Sequence, residues 1–186
     1  MNWHDRSTCV LFGDGAGAVV LERVADGGFL GFELGSDGEG GKELSVPAGG
    51  SRNPATTQTV EQELHFLRMN GREVYKFATR VMVSSAEAVL AECGRTIDEV
   101  DVYVPHQANK RIIDHAARKL GIPEGKVVVN VDRYGNTSSG SIPLALADAA
   151  ADGRLREGEL VLMTGMGAGL PWGSALIEWT EEVAAA

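Results

Sequence analysis

The second half of the sequence alternates short apolar runs with segments of helical spacing, and this alternation constrains the fold more than any other feature. Residues 109–120 and 141–151 have helical spacing, and they separate apolar runs at 100–104, 127–131 and 160–164. Strands separated by helices form crossover units, in which the strands lie parallel in one sheet. We therefore predict an α/β fold with a βαβαβ unit in this part of the chain.

Further elements are expected around this unit. Residues 71–93 carry apolar side chains at helical spacing and stop at Gly94, and residues 173–179 form a strand after a glycine turn. Apolar runs on both sides of the glycines within residues 9–21 predict a strand pair. Residues 35–62 are polar and contain many glycines, which predicts a long surface loop.

Charge and composition exclude several classes of protein. Seventeen Lys and Arg residues against 26 Asp and Glu give a net charge of −9, which argues against binding of nucleic acid through diffuse positive charge. No apolar run reaches the roughly 20 residues of a membrane helix, and the first residues do not resemble a signal peptide. Two cysteines cannot form a disulfide framework, as expected in the cytoplasm. The four histidines lack metal-ligand spacing, so we expect no metal.

Polar or glycine-rich segments follow three of the predicted strands, at 105–109, 133–137 and 165–169. Ligands gather at the carboxyl ends of strands in open α/β sheets, so these segments are expected to meet. His106 precedes a helix, whose N-terminal partial charge favours neutral imidazole, and Asn136 offers a non-titrating amide. Two neutral donors suit an enolate oxygen better than hydrolysis. A structural role for His106 is the alternative.

No residue of the chain is an evident nucleophile. Cys9 begins an apolar run and Cys93 ends a helix, where the dipole disfavours a thiolate, so both are expected to be small buried residues. Ser138, Ser139 and Ser141 lack a nucleophile elbow and are interpreted as capping and turn residues.

The helix at 109–120 has a basic outer face in a chain of negative net charge. Its apolar residues form one stripe, and the opposite side carries Lys110, Arg111, Arg118 and Lys119. Such a face could steer an acidic partner towards His106, or it could be an ordinary solvated surface.

Five motifs resemble β-ketoacyl-[acyl carrier protein] synthase III, the condensing enzyme that initiates type II fatty acid synthesis. The similarity extends from about residue 5 to residue 179. The motifs are FGDGAG at 12–17, MNGREV at 69–74, VPHQAN at 104–109, DRYGNTS at 132–138 and WGSAL at 172–176. The VPHQAN and DRYGNTS motifs together, about 30 residues apart, are the most specific part of this resemblance.

The resemblance implies a thiolase-like fold of two similar halves, with the active site between them. This chain would be the C-terminal βαβαβ half with covering helices, plus a strand pair from the end of the N-terminal half. We expect residues 1–34 to be the strand–turn–strand end of the N-terminal half, 35–62 a glycine- and proline-rich loop, and 63–186 the C-terminal condensing-enzyme domain.

The resemblance also implies a reaction, a decarboxylative Claisen condensation of acyl-CoA with malonyl-acyl carrier protein. His106 and Asn136 would be catalytic, and the backbone of Ala168 would serve the oxyanion. Met69, Tyr75 and Asn109 would line the pantetheine or CoA tunnel. The carrier protein would dock on Lys76, Arg111, Arg118 and Lys119. No cofactor is expected beyond the CoA thioester and the phosphopantetheine-linked substrates.

The family's nucleophilic cysteine lies in the N-terminal half, so this chain alone is expected to be inactive. Its partners would be acyl carrier protein, acyl-CoA and the N-terminal half of the same enzyme, in a cytoplasmic homodimer when complete. Met166 stands where some members of the family carry phenylalanine, which leaves the acyl-chain preference open. Ala168 replaces a commoner glycine, a small change for a backbone donor.

Two alternatives stay open. A type III polyketide or hydroxymethylglutaryl-CoA synthase relative would share the cysteine–histidine–asparagine chemistry, although residues 165–169 lack the proline of the polyketide type. A module that docks the carrier protein or dimerises without chemistry would keep the basic helix and need no His106.

Overall fold

The chain is built around a mixed four-stranded sheet in a computed structural model, which describes residues 1–180. The strands are β1 (Gly28–Ser36), β2 (Leu44–Ser45), β3 (Arg68–Met69), β4 (Val102–Pro105), β5 (Leu160–Met166) and β6 (Pro171–Glu178). The α-helices are α1 (Thr57–Glu61), α2 (Gly71–Glu92), α3 (Lys110–Leu120), α4 (Val131–Tyr134) and α5 (Ser141–Ala151).

The sheet has the order β1-β6-β5-β4, and only β4 and β5 are parallel. The segment between these two strands contains α3 and α5, which provides the length that a parallel crossover needs. β6 follows β5 after four residues, a connection short enough only for an antiparallel pair. β1 continues the sheet antiparallel to β6, and β2 and β3 form a separate pair. The expected largely parallel sheet is thus reduced to one parallel pair.

Helices cover both faces of the parallel pair. α2 and α3 pack on one face, where Val89, Ile113 and Leu162 belong to the same buried cluster. α5 packs on the other face, with Ala145 against strand residues that include Val104. The long helices agree with the sequence prediction, because their apolar periodicity is local. α2 ends one residue earlier than predicted, and α3 ends at Gly121, whose φ is 76°.

The apolar run at 127–131 does not form the predicted strand. Val127 makes one isolated parallel bridge with Tyr103, and the chain enters α4 at Val131. The side chain of Gln107 forms hydrogen bonds with backbone groups that a longer β-ladder would otherwise pair. Its Nε2 donates to the carbonyl of Val128 at 3.1 Å, and its Oε1 accepts from the amides of Asn130 and Val131.

The predicted strand pair within residues 9–21 is also absent. Phe12 makes a single bridge with Asn136, and the residues after it have no regular secondary structure. The amide of Asn136 donates to the carbonyl of Leu11, and the amide of Gly13 donates to the carbonyl of Asn136, both at 2.9 Å. The two apolar runs therefore do not pair with each other, because the backbone at the glycine motif bonds to the segment that carries Asn136.

Alternate glycines make this approach possible. A Cβ atom at Gly13 would clash with the carbonyl oxygen of Tyr134, and one at Gly17 would clash with the ring of Pro143. A Cβ at Gly15 would lie 2.8 Å from the side chain of Thr137. Because every second residue of the motif is glycine, one side of its backbone has no side chains, and this side packs closely against the segment around Asn136.

The segment at 35–62 is a surface region with short elements of its own. It contains a 3₁₀ helix at Gly38–Glu43, β2 and α1, and Ala48 and Thr59 in it are buried. Asp37 and Leu170 exchange two backbone hydrogen bonds of 2.9 and 3.0 Å. The segment thus packs against the glycine-rich loop between β5 and β6.

Replacing Gly13 with Ala should loosen the contact with Asn136. Overpacking of this kind costs about 1–3 kcal/mol, so the Asn136 amide should exchange its hydrogen about tenfold faster or more. Amide exchange measured by NMR tests this. Gly38→Ala is the matched control, since no heavy atom lies within 4 Å of its added Cβ. Equal Asn136 exchange in both variants would contradict the prediction.

Candidate active site

A cavity of about 590 Å³ lies at the carboxyl ends of β4 and β5. Six of the candidate residues named from the sequence and from the resemblance lie at the cavity wall. They are Met69, Tyr75, His106, Asn109, Asn136 and Ala168. Segments separated by up to about 100 residues therefore contribute to one concave site.

His106 follows β4 directly and presents a buried imidazole to the cavity. Its backbone amide donates to the carbonyl of Thr164 on β5 at 2.7 Å, and its side chain is 8% exposed. Its Nδ1 lies 2.6 Å from Oγ of Ser141. Burial lowers the pKa of His106 from 6.5 to about 4, so the ring is neutral at neutral pH. The sequence predicted a neutral His106 ring because of the helix N-terminus. In the structure, the cause of the lowered pKa is burial of the ring.

Asn136 is fixed by its backbone and by one of its two amide atoms. Its main chain bonds to Leu11 and Gly13, and its Oδ1 accepts from the backbone amide of Ser138 at 2.9 Å. Because Oδ1 has this donor, the amide group is oriented and its Nδ2 hydrogens remain for a ligand. Within residues 1–180, Nδ2 has no hydrogen-bond partner.

Ala168 lies in the loop between β5 and β6. The loop is closed by a hydrogen bond from the amide of Gly167 to the carbonyl of Pro171 at 3.0 Å and is held by Leu170 against Asp37. The amide of Ala168 bonds to none of the described residues. A backbone donor of this kind has no alternative protonation state and is fixed by the loop.

The remaining wall is largely apolar and comes from α2, α3, α5 and the region around β2 and β3. Met69 and Tyr75 lie at β3 and in the first turns of α2, and Leu44 and Leu67 join them. Asn109 has a second role, since it is the N-cap of α3 and its Oδ1 accepts from the amide of Arg111 at 2.9 Å. Leu44 and Leu67 were missed by the sequence reasoning, because no periodicity marks an isolated apolar residue in a mostly polar segment.

The predicted docking residues lie outside the cavity on the exposed faces of two adjacent helices. Lys76 on α2 pairs with Glu73 at 2.7 Å, and Lys110 on α3 pairs with Asp114 at 2.7 Å. Among the residues described, Arg111, Arg118 and Lys119 have no ion pair. The basic face thus contains cations that are free to meet an anionic group.

Neither cysteine lines the cavity. Cys9 and Cys93 are both free and half-buried, less buried than the sequence suggested. Over residues 1–180, no three His, Cys, Asp or Glu side chains converge as a metal site would require. No helix in the same range has the length and apolarity to cross a membrane.

Two residues near His106 have contacts that the sequence did not reveal. Ser141 was interpreted as a capping or turn residue, but Gly140 is the N-cap of α5 and Ser141 makes no capping bond. Its hydroxyl bonds to His106 instead. Gln107, inside the VPHQAN motif, is 1% exposed and joins the segments that carry His106 and Asn136. No local signal identifies a partner 35 residues away.

Two sequence profiles of one family match the chain. Residues 90–179 match "3-Oxoacyl-[acyl-carrier-protein (ACP)] synthase III C terminal", and residues 1–38 match "3-Oxoacyl-[acyl-carrier-protein (ACP)] synthase III". Together these ranges cover about two thirds of the chain.

Curated relatives and a solved structure extend the similarity to nearly the whole chain. The chain is 53% identical to the β-ketoacyl-[acyl-carrier-protein] synthase III of Desulfitobacterium hafniense over 182 residues, 97% of this chain and 55% of the relative. It is 54% identical to that of Symbiobacterium thermophilum over 180 residues, which are 96% of this chain and 54% of the relative. The crystal structure of 3-oxoacyl-[acyl-carrier-protein] synthase III from Aquifex aeolicus superposes with a TM-score of 0.84 at 43% identity. The superposition covers 94% of this chain and 52% of the Aquifex chain. The chain spans about half the length of the relatives it matches.

The buried imidazole makes stability depend on pH in a defined window. Between pH 6.5 and about 4 the unfolded chain binds a proton that the folded chain does not, so the free energy of unfolding falls as pH falls through this window. The loss should reach at most about 3 kcal/mol. Urea unfolding of the parent and of His106→Gln at several pH values measures it, and the variant should lose this part of the slope.

The exposed His4 offers a matched control for this experiment. His4→Gln should keep the pH dependence of the parent, because its ring is solvated in the folded and the unfolded chain. A His106→Gln profile that parallels the parent's would contradict the assignment of the slope to His106.

Proposed function

The chain belongs to the 3-oxoacyl-[acyl-carrier-protein] synthase III family and has its thiolase-like α/β fold, and on this basis we propose that it carries the enolate-stabilising part of a decarboxylative condensing site. One observation supports this most: the residues that carry a neutral buried imidazole, a side-chain amide and an unpaired backbone amide line the same cavity. All three are uncharged donors, which suit an oxygen that gains negative charge during the reaction.

The first step is decarboxylation of a malonyl thioester in the cavity. The bond between the α-carbon and the carboxylate breaks, CO₂ leaves, and the electron pair passes into the enolate of the thioester. His106 donates from its imidazole N–H and Asn136 donates from Nδ2 to the enolate oxygen. Neither group gives up its proton. Because His106 is neutral, it adds no counter-charge that would hold the substrate carboxylate in the ground state.

The second step joins the two substrates. The enolate carbon attacks the carbonyl of an acyl thioester held on a cysteine, and the oxygen that becomes negative accepts from the amide of Ala168. The carbon–sulfur bond then breaks and the cysteine leaves as a thiolate, which returns the enzyme to its starting state. The product is a 3-ketoacyl thioester on acyl carrier protein, and the acyl group comes from acyl-CoA.

The cysteine for this step has no counterpart in the described cavity wall. We propose that it belongs to the part of the family's sequence that this chain does not match, about 45% of the D. hafniense relative. The chain alone would then perform no condensation.

Exposed apolar side chains support the need for a covering segment. Phe32 and Leu34 are 61% and 73% exposed, and both lie on the face of β1 opposite to α2. Val20 is 87% exposed between two other exposed apolar residues, Val19 and Leu21. Apolar surface of this kind usually lies at an interface. The part of the family's sequence outside this chain would cover it and complete the cavity.

A chimera tests the catalytic roles. The part of the D. hafniense relative that this chain does not match is joined to it in the relative's own order, and release of CO₂ from malonyl-carrier protein is measured. His106→Ala or Asn136→Ala should each lower kcat for decarboxylation by about 10²–10³, the usual effect of losing one oxyanion donor. His115→Ala, a half-buried histidine outside the cavity, is the control and should keep the parental kcat.

The same assay has outcomes that would contradict the proposal. The chimera should form 3-ketoacyl-carrier protein from acyl-CoA, and the chain of 186 residues alone should not. Condensation by the chain alone, or equal kcat values for His106→Ala and His115→Ala, would show the assignment to be wrong.

Docking of the acidic carrier protein can be tested separately. Arg111→Glu with Arg118→Glu should raise KM for malonyl-carrier protein about tenfold and leave KM for malonyl-CoA nearly unchanged, because only the protein substrate reaches the outer face of α3. Arg156→Glu is the matched control, since Arg156 is an exposed arginine outside α2 and α3, in the connection between α5 and β5. An equal rise for both substrates would contradict docking at this face.

A further inference from the structure

Ser141 contacts the histidine of the site and has no role in capping its own helix. Its Oγ lies 2.6 Å from Nδ1 of His106, and the backbone amide of Gln107 donates to the same oxygen at 3.3 Å. Ser141 is 1% exposed, so water does not replace either partner. The hydroxyl thus bridges the ring of His106 and the backbone of the next residue.

The bonds at this oxygen determine the direction of the hydroxyl proton. A backbone amide can only donate, so Oγ accepts from Gln107 and its own hydrogen needs an acceptor. In the described part of the chain, Nδ1 of His106 is the acceptor within hydrogen-bonding distance of this hydroxyl. If Nδ1 carried the proton instead, the buried hydroxyl hydrogen would have no acceptor. A buried donor without an acceptor is disfavoured, so Nδ1 accepts.

We propose that Ser141 is a positioning residue that fixes the tautomer of His106, with Nδ1 as acceptor and the proton on Nε2. The imidazole then has an N–H donor at Nε2, which forms no hydrogen bond with the described residues, and His106 lines the cavity. The lowered pKa of His106 agrees with this, since a neutral ring carries one proton and its position matters. The inference deepens the proposed function, because a bare Nε2 would repel the enolate oxygen that the proposal places there.

The tautomer can be measured in this chain without any enzymatic activity. Two-bond ¹⁵N–¹H correlation spectra of the His106 ring distinguish a protonated Nε2 from a protonated Nδ1. We expect a single form protonated at Nε2 at pH 7. A ring protonated at Nδ1 in the parent chain would overturn the proposal, and this outcome does not depend on whether any variant folds.

Two variants of equal shape isolate the hydroxyl. Ser141→Thr keeps it, and Ser141→Val replaces it with a methyl group, so packing changes equally in both. We expect the Nε2 form to persist in Ser141→Thr and a mixture of tautomers to appear in Ser141→Val. Ser139→Ala, which removes another hydroxyl at the cavity wall, should leave the tautomer unchanged. Identical ring spectra for the Thr and Val variants would overturn the role of Ser141.

The chimera described above separates this inference from the proposed function. Loss of the fixed tautomer should lower kcat for decarboxylation about fivefold in Ser141→Val relative to Ser141→Thr, with KM unchanged, as for the loss of one ordinary hydrogen bond. A fixed Nε2 tautomer with no effect of His106→Ala would contradict the proposed function alone. A kcat that falls in His106→Ala but is equal in the Thr and Val variants would contradict the role of Ser141 alone.

Discussion

The buried amide of Gln107 joins the two segments that carry His106 and Asn136, and the geometry of the candidate site depends on it. Its Nε2 donates to the carbonyls of Pro105 and Val128, and its Oε1 accepts from two consecutive amides at the start of α4. All of its hydrogen-bonding positions are used by backbone groups of these two segments. A side chain thus replaces part of a β-ladder. The ladder stops after one bridge, and the chain turns into the segment that leads to Asn136.

The glycine motif supports the same segment from the opposite end. Its backbone bonds on both sides of Asn136, and bare Cα atoms at Gly13 and Gly15 allow the approach. The position of Asn136 is therefore set by main-chain contacts, and its side-chain amide is left for a ligand. Apolar residues such as Val20, Phe32 and Leu34 remain exposed in the same structure. Exposed apolar surface of this kind is the physical reason for the covering segment proposed above.

Much of the fold and of the candidate site could be predicted from the sequence. α2, α3 and α5 were expected within one residue of their observed bounds, since their signals are apolar periodicity and terminal glycines. The rule that sites form at strand ends selected His106, Asn136 and the loop of Ala168, and all three line one cavity. Two predicted strand regions did not form, the strand at 127–131 and the pair within residues 9–21. In both cases an apolar run favours a strand, but a strand also needs a neighbour with free backbone groups.

The sequence by itself determined which long segments are helical and which polar and glycine-rich segments follow β4 and β5, because those properties depend on neighbouring residues along the chain. The tertiary structure alone decided the hydrogen-bond partners. Ser141 reaches His106 across 35 positions, and Asn136 meets Leu11 across a still longer separation. It also decided why His106 is neutral, since burial lowers the pKa of its ring. Partner choice and desolvation depend on residues that become neighbours only when the chain folds.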